Sequence, residues 1–219
     1  MNFCNRSLKL TPIKKENKRY IANFNHSEGG RIIMKPILID FPEEIYTERL
    51  YIRKPMPGDG KVVFGAMQAS LNELKPWMPW ANREQSEQEV EANMRDAHAK
   101  FLTREDLRLH IFNRETGEFI GASGLHRMNW EVPKFEIGYW IDTSLSGNGY
   151  ITEAAEAITE FAFRELNAKR VEIRCDSKNT KSRAIPEKLG FTLEGILKND
   201  GISADRQELR DTCIYAKIK

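Results

Sequence analysis

The chain has 219 residues, enough for one domain with a substantial core, and its formal net charge at pH 7 is only +2. Hydrophobic residues make up 40% and charged residues 30%, which excludes a wholly disordered chain, a collagen-like repeat and a coiled coil. No run of about 18 apolar residues occurs, and the first residues lack the apolar stretch of a signal peptide. We therefore expect a cytoplasmic protein without a membrane span.

Charge is distributed unevenly between the first 33 residues and the rest. Residues 1–33 carry a net +5 and the remainder −3, so the body lacks the basic balance of a nucleic-acid binder. Residues 1–33 also show no apolar period, and we expect a flexible basic extension followed by one domain over 34–219. One hypothesis makes Met34 the native start and residues 1–33 upstream translated sequence. The alternative is a basic arm that touches ribosomal RNA.

After Thr47, apolar residues recur with the periods of strands and helices. Ser86 followed by Glu89 has the spacing of a capping box. Gly190 is suited to the left-handed backbone conformation that often ends an α-helix. The order predicts an α/β (α+β) fold in which helices lie on the faces of a mixed sheet. The predicted strands are 47–54, 107–113, 118–127, 134–142, 170–175, 191–197 and 211–218, and the helices are 59–72, one after 86, 150–166 and 180–189.

The strand that runs into the third predicted helix carries the most informative motif, in which Gly147 and Gly149 precede Tyr150. Such glycines let backbone N–H groups approach a ligand, and the helix start attracts anions, so we predict a pyrophosphate cradle. A dinucleotide motif would need a glycine at Thr152, and a Walker A loop would need Gly-Lys-Ser/Thr. A simple tight turn into the helix is the alternative.

These motifs and a second set further along resemble those of the GNAT acyl-CoA N-acyltransferases. They are Gly147-Asn148-Gly149-Tyr150 with Thr152-Glu153-Ala154, the pair Asn179 and Ser182, and Leu189-Gly190-Phe191 with Glu194-Gly195. Three further segments resemble the RimJ/RimL branch, which acetylates the N-terminal amines of ribosomal proteins. They are Thr47-Glu48-Arg49-Leu50, Trp77-Met78-Pro79-Trp80 and Glu136-Ile137-Gly138-Tyr139-Trp140.

The resemblance covers residues from Thr47 to the end of the chain and implies a GNAT fold. That fold has a twisted, mostly antiparallel sheet of about seven strands, in which the strands at 135–141 and 171–175 splay apart. Acetyl-CoA is the implied acyl donor, with its pantetheine arm in the gap. The residues implied to bind it are Ile141, Asn179 and the cradle of Ser146, Gly147, Asn148, Gly149 and Tyr150. Asn179 has a second interpretation as a helix N-cap.

The resemblance also implies roles in catalysis. Ser182 matches the residue that protonates the departing thiolate, although a solvated serine in a first helical turn is the alternative. Glu136 lies on the strand that lines the site and could accept the amine proton, or could be a surface carboxylate. His126 has no partner spacing and is interpreted as structural. Pro186 has no N–H for the Ser182 carbonyl, so we expect a kink or a bound water there.

Trp77 and Trp80 predict an aromatic wall beside the amine that accepts the acetyl group. Equally, the two tryptophans could only anchor the loop that contains them to the core. The cysteines Cys4, Cys175 and Cys213 have neither zinc-site nor disulfide-framework spacing, so no metal is expected.

These observations together predict acetyl transfer to an α-amine, the N-terminus of a ribosomal protein, by direct attack in a ternary complex. One alternative acceptor is a small amine such as a polyamine or an antibiotic, which prefers a closed acidic pocket. A non-catalytic CoA-binding module is disfavoured because Asn179 and Ser182 are retained. A homodimer is left open.

Overall fold

The computed structural model describes residues 35–219, so the predicted extension and its boundary at residue 34 lie outside the described residues. One sheet has the strand order β1-β2-β3-β4-β5-β6-β8-β7. Its strands are β1 (Glu44–Tyr46), β2 (Leu50–Arg53), β3 (Leu107–Asn113), β4 (Phe119–Asn129), β5 (Lys134–Ile141), β6 (Arg170–Asp176), β7 (Thr192–Ile202) and β8 (Leu209–Ile218). The helices are α1 (Gly60–Ala69), α2 (Leu71–Leu74), α3 (Glu87–Thr103), α4 (Tyr150–Arg164) and α5 (Thr180–Lys188).

The mixed, mostly antiparallel sheet is confirmed, with two differences in detail. It has eight strands, because the three-residue β1 is too short for a period to be recognised in the sequence. The helix predicted over 59–72 is divided at Ser70, where the backbone leaves the helical region. The buried Ser70 hydroxyl accepts a hydrogen bond from the Thr143 N–H (2.8 Å), which ties this break to the segment before α4.

Helices cover both faces of the sheet, because successive strand residues point to opposite faces. On β3, Ile111 packs in the main core with α4, while its neighbour Phe112 packs against α1 and α3. The amphipathic α4 buries Ile158 and Ala162 completely against the sheet. Burial of a side chain such as Ile158 contributes about 1.5–3 kcal/mol to the free energy of folding, relative to leaving it exposed. The helix α4 is thereby fixed on β4 and β5, with its N-terminus at the site described below.

A buried ionic cluster joins the start of α1 to the sheet. Asp59, only 7% exposed, accepts two hydrogen bonds from Arg53 (2.7 and 2.8 Å) and one from His110 Nδ1 (2.9 Å). Burial would raise the pKa of Asp59, but the bonds from Arg53 and His110 hold that pKa well below its usual value. Burial also lowers the pKa of His110, so the neutral imidazole donates its Nδ1–H.

Replacing Asp59 with asparagine should lower the free energy of unfolding by roughly 3 kcal/mol, because the largely buried Arg53 loses its counterion. In the wild type, both Asp59 and His110 have folded pKa values below the unfolded ones. Their contribution is therefore complete at neutral pH and is lost on acidification, beginning below about pH 6.5, where unfolded histidine protonates. Urea unfolding of the wild type and of Asp59→Asn between pH 7 and pH 4 measures both effects. The exposed Asp96→Asn change is the control, and an equal effect of both substitutions would contradict the prediction.

Candidate active site

The gap between β5 and β6 is the central feature of the site. These strands run parallel and pair only over their first residues, up to Ile137 and Ile173. The Asp142 N–H bonds to β4, so by alternation the peptide groups of Tyr139 and Ile141 point away from β4 and into the gap. The predicted splay of these two strands is confirmed. It leaves a free backbone edge with which an extended ligand chain can pair.

The cradle predicted from the glycines lies at the start of α4. Gly147 and Gly149 adopt left-handed backbone conformations (φ 85° and 79°), which favour glycine over other residues. Among the described residues, no backbone carbonyl accepts a hydrogen bond from an N–H group of residues 147–152. These donors converge at the N-terminus of a 15-residue helix, where the helix dipole attracts negative charge. The segment is therefore suited to bind a phosphate.

Arg49, in the turn before β2, contacts three residues of the cradle and of the first turn of α4 and acts as a brace for the cradle. Its Nε donates to Glu153 (2.7 Å), its Nη1 donates to the Asn148 carbonyl (3.0 Å), and its guanidinium lies 4.7 Å from the Tyr150 ring centroid. Burial would raise the pKa of Glu153, but hydrogen bonds from Thr47 and Arg49 hold it below its usual value. In the sequence, Thr47-Glu48-Arg49-Leu50 is recognisable only as a family motif, which predicts no role for Arg49.

The Arg49→Ala variant should bind acetyl-CoA about tenfold more weakly, because the Asn148 carbonyl and Glu153 lose a charged hydrogen-bond partner. Isothermal titration calorimetry checks this. Arg164→Ala, on the exposed end of α4, is the control and should bind normally. Unchanged affinity of the Arg49 variant would show that the cradle holds its shape without this brace.

Three side chains meet where α5 faces the gap. The Asn179 Oδ1 accepts from the Ser182 N–H (3.0 Å), as the N-cap interpretation expects, and its Nδ2 bonds to no described residue. The Ser182 Oγ lies 3.3 Å from the Tyr139 hydroxyl. That hydroxyl donates to the Ser182 carbonyl (3.0 Å), which lacks a helical donor because of Pro186. The sequence predicted a kink or a bound water here, and the structure shows in addition that the Tyr139 hydroxyl reaches this carbonyl.

Cys175 lies on β6 beside Ser182 and opposite Cys213 on β8. Both cysteines are buried, as is usual for free cysteines, which pack like small hydrophobic residues. Burial raises the pKa of the Cys175 thiol to about 11, so the thiol remains protonated at neutral pH. A thiolate nucleophile is therefore not available at this position.

The opposite face of β5 carries Glu136, Gly138 and Trp140. Glu136, whose side chain is 17% exposed, forms an ion pair with Arg127 (3.0 Å) across a bulge between β4 and β5. Beside it, the His126 ring covers Gly138, where an added Cβ would lie 3.2 Å from the imidazole Cδ2. His126 is the direct cross-strand neighbour of Glu136.

His126 is oriented by a carboxylate, since its Nδ1 lies 2.6 Å from Asp106 Oδ2. A carboxylate that holds one imidazole nitrogen and leaves Nε2 free is the usual arrangement of a general base. The sequence alone predicts a structural role for His126. No spacing signal could have revealed the pair, because the hairpin of β3 and β4 brings together residues that are 20 positions apart.

The two tryptophans of the aromatic loop have different environments. Trp80 packs edge-on against Trp140 of β5, with ring centroids 5.6 Å apart. Trp77 is half-buried and forms no ring pair with a described aromatic residue. Trp80 therefore pins the loop to the sheet and also borders the face that carries Glu136. The two interpretations of Trp80 are thus compatible with each other.

A polar cavity of about 300 Å³ opens on this same face of the sheet, and we call it the acceptor-face cavity. It extends from Glu136 on β5 across β6 to the hairpin of β7 and β8. Its charged and polar lining consists of Arg127, Arg174, Arg210, Glu136, Asp200 and Thr212.

Comparison with known proteins identifies the family. Residues 49–192 match the model of the acetyltransferase (GNAT) domain family, and this segment includes the cradle, the gap and Ser182. The chain belongs to the GNAT acetyltransferase family. The assignment confirms the prediction of an acyltransferase and, with it, of acetyl-CoA as the acyl donor.

Several GNAT relatives are similar over different lengths. The chain is 29% identical to the uncharacterized N-acetyltransferase p20 of Bacillus licheniformis, covering 72% of this chain and 86% of that protein. It is 33% identical to the ribosomal-protein-serine acetyltransferase of Escherichia coli, covering 46% of this chain and 55% of that protein. The chain thus spans about half the length of this second relative.

Solved structures share the GNAT fold. RimL, the ribosomal L7/L12 alpha-N-protein acetyltransferase in complex with coenzyme A, matches with a TM-score of 0.75 at 21% identity, over 80% of this chain and 98% of RimL. MccE, a microcin C7 self immunity acetyltransferase in complex with acetyl-CoA and AMP, matches with a TM-score of 0.72 at 20% identity, over 79% of this chain and 94% of MccE. Within residues 35–219, no helix is long and apolar enough to cross a membrane.

Proposed function

We propose that this GNAT protein transfers an acetyl group from acetyl-CoA to an α-amine, the N-terminus of a ribosomal protein, by direct attack in a ternary complex. The observation that carries the proposal is the gap between β5 and β6, with a cradle at one end and Ser182 and Glu136 beside it. The similarity to a relative named ribosomal-protein-serine acetyltransferase supports this class of acceptor.

Acetyl-CoA would be held at three places. The free N–H groups of residues 147–152 would receive the pyrophosphate, as helix N-termini do. The gap-facing peptide groups of Tyr139 and Ile141 would pair with the pantetheine amides. The free Nδ2 of Asn179 would donate to a pantetheine carbonyl. This path directs the thioester toward Ser182.

Attack requires an unprotonated amine, whose pKa in a free α-amino group is about 8, so modest base assistance suffices. Glu136 and the His126 that Asp106 orients are the two groups on the acceptor side that could take the proton. The new C–N bond forms a tetrahedral intermediate, and the C–S bond then breaks. Ser182 would donate its hydroxyl proton toward the departing sulfur, with Tyr139 beside it.

The two base candidates can be separated by single substitutions. We expect Glu136→Gln or His126→Gln, whichever removes the base, to lower kcat by about 10²-fold or more while acetyl-CoA affinity stays constant. Steady-state kinetics at saturating acetyl-CoA measures this. The exposed Glu160→Gln on α4 serves as the control. Two variants with wild-type turnover would show that neither side chain is the base.

The central experiment is to incubate the protein with acetyl-CoA and a panel of amines and to detect the products by mass spectrometry. The panel contains N-terminal peptides of ribosomal proteins, polyamines and aminoglycosides. The proposal expects acetylation of peptide N-termini. Acetylation of the small amines alone would favour the alternative acceptor, and binding of acetyl-CoA without any product would favour a non-catalytic module.

One observation weighs against a polyamine. A small cationic amine would fit a cavity in which carboxylates dominate. The acceptor-face cavity instead contains three arginines and two carboxylates, so its lining carries an excess of positive charge.

A further inference from the structure

Charge pairing in the acceptor-face cavity is incomplete. The Arg127 guanidinium lies 3.0 Å from Glu136, and Arg174 lies 3.0 Å from Asp200. Arg210 lines the same cavity, yet its guanidinium makes no ion pair or hydrogen bond with another described residue. Two carboxylates are thus matched by two of the three arginines. The cavity retains one guanidinium without a counterion.

A second polar group in this cavity also has no partner. Thr212 is only 3% exposed, and its Oγ1 bonds to no other described residue. Most buried hydroxyl groups in proteins are hydrogen-bonded, so the Thr212 hydroxyl, which lines the cavity without a protein partner, is available to a ligand. A guanidinium can only donate hydrogen bonds, whereas a hydroxyl can donate one. The ligand group that matches both is an acceptor with negative charge, and a carboxylate has that chemistry.

The register of the strands defines how far Arg210 and Thr212 lie from Glu136, the base candidate on β5. Glu136 on β5 shares its face of the sheet with Arg174 on β6 and Thr212 on β8. Neighbouring strands lie about 4.8 Å apart, so Glu136 and Thr212 are separated by about 10 Å across the sheet. Glu136 pairs with Glu172 whereas Thr212 pairs with Asp176, four residues further along β6, which adds about 13 Å along the strand and gives a separation of about 16 Å. An extended peptide covers this distance in about five residues. The carboxylate of a free α-amino acid would be too close to its own amine to span it.

We propose that Arg210 and Thr212 bind a side-chain carboxylate of the acceptor, so that the preferred substrates are N-termini with Asp or Glu within the first five residues. This inference rests on the proposed function and specifies its substrate class. Arg127 and Arg174 already have carboxylate partners, so Arg210 is the guanidinium of this cavity that is available to the acceptor.

The test compares two peptides that differ only by Glu or Gln at the fifth position. The wild type should show a kcat/KM about tenfold higher for the Glu peptide, because the carboxylate gains charged hydrogen bonds. In Arg210→Gln this preference should fall to about one. Thr212→Val, which keeps the side-chain shape, should reduce the preference partially and leave the melting temperature equal or higher. Arg164→Gln on α4 is the matched control and should keep the full preference.

Equal kcat/KM values for the two peptides with the wild type would overturn the proposal. A preference that survives in Arg210→Gln would overturn it as well. A free glutamate in the panel distinguishes an amino acid from a peptide as the source of the carboxylate, and preferential acetylation of the amino acid would contradict the separation of about 16 Å. If no amine is acetylated, the proposed function fails. Calorimetric binding of the Glu peptide to the CoA-loaded protein, with and without Arg210→Gln, then still decides the carboxylate site.

Discussion

Replacing Gly149 with valine should weaken acetyl-CoA binding by about 100-fold. Gly149 has a φ of 79°, a left-handed conformation that a β-branched residue adopts only at a considerable cost. An added Cβ lies 3.5 Å from the Arg49 guanidinium, so there is space for the side chain in the free protein. The loss therefore comes from displacement of the N–H groups that precede α4. Isothermal titration calorimetry with acetyl-CoA measures it.

Gly117 provides a matched control for the strain itself. It lies in the turn between β3 and β4 with a φ of 72°, and an added Cβ would contact nothing within 4 Å. Gly117→Val should lower the melting temperature to a similar extent while leaving acetyl-CoA affinity unchanged. If Gly149→Val also bound acetyl-CoA normally, these glycines would only form a turn into the helix.

Ser182→Ala should lower kcat by about 10²-fold and leave the dissociation constant of acetyl-CoA nearly unchanged. A group that donates a proton to the departing thiolate acts chiefly in the transition state. The fold around it should tolerate the change, because Asn179 caps α5 through the backbone N–H of residue 182, which alanine retains. Steady-state kinetics and calorimetry on the same preparations separate the two effects.

Two further variants make the Ser182 result specific. Ser177→Ala is the control, since the Ser177 hydroxyl bonds to no described residue, and it should turn over like the wild type. Tyr139→Phe removes the donor to the Ser182 carbonyl, so it should reduce both stability and kcat. Wild-type turnover in Ser182→Ala would leave Ser182 as a helix residue only.

The elements that the sequence predicted best are those with local signals. Helix α3 starts where expected, because Ser86 accepts the Glu89 N–H (3.2 Å) and Glu89 accepts the Ser86 N–H (2.8 Å). Both partners of this capping box lie within four residues. The helix break at Ser70 was not predicted, because it depends on Thr143 from a distant segment.

The same distinction applies to the candidate site. The cradle is contiguous in sequence, so its glycines and the following helix could be recognised together. Arg49 and Glu153 are 104 residues apart, and only the complete fold brings them into contact. The unpaired state of Arg210 is equally invisible in a sequence, because it depends on where every neighbouring carboxylate points.

Pro186 has a consequence for the reaction centre that extends beyond helix α5. An ordinary residue at this position would offer its N–H to the Ser182 carbonyl, which would then be satisfied within the helix. Because this donor is missing, the Ser182 carbonyl is available to the hydroxyl of Tyr139, which lies on the other side of the gap. Beyond Ile137, where the pairing of β5 with β6 ends, this hydrogen bond connects β5 to α5. The cleft is braced in its separated form before any ligand arrives, which lowers the reorganisation cost of binding.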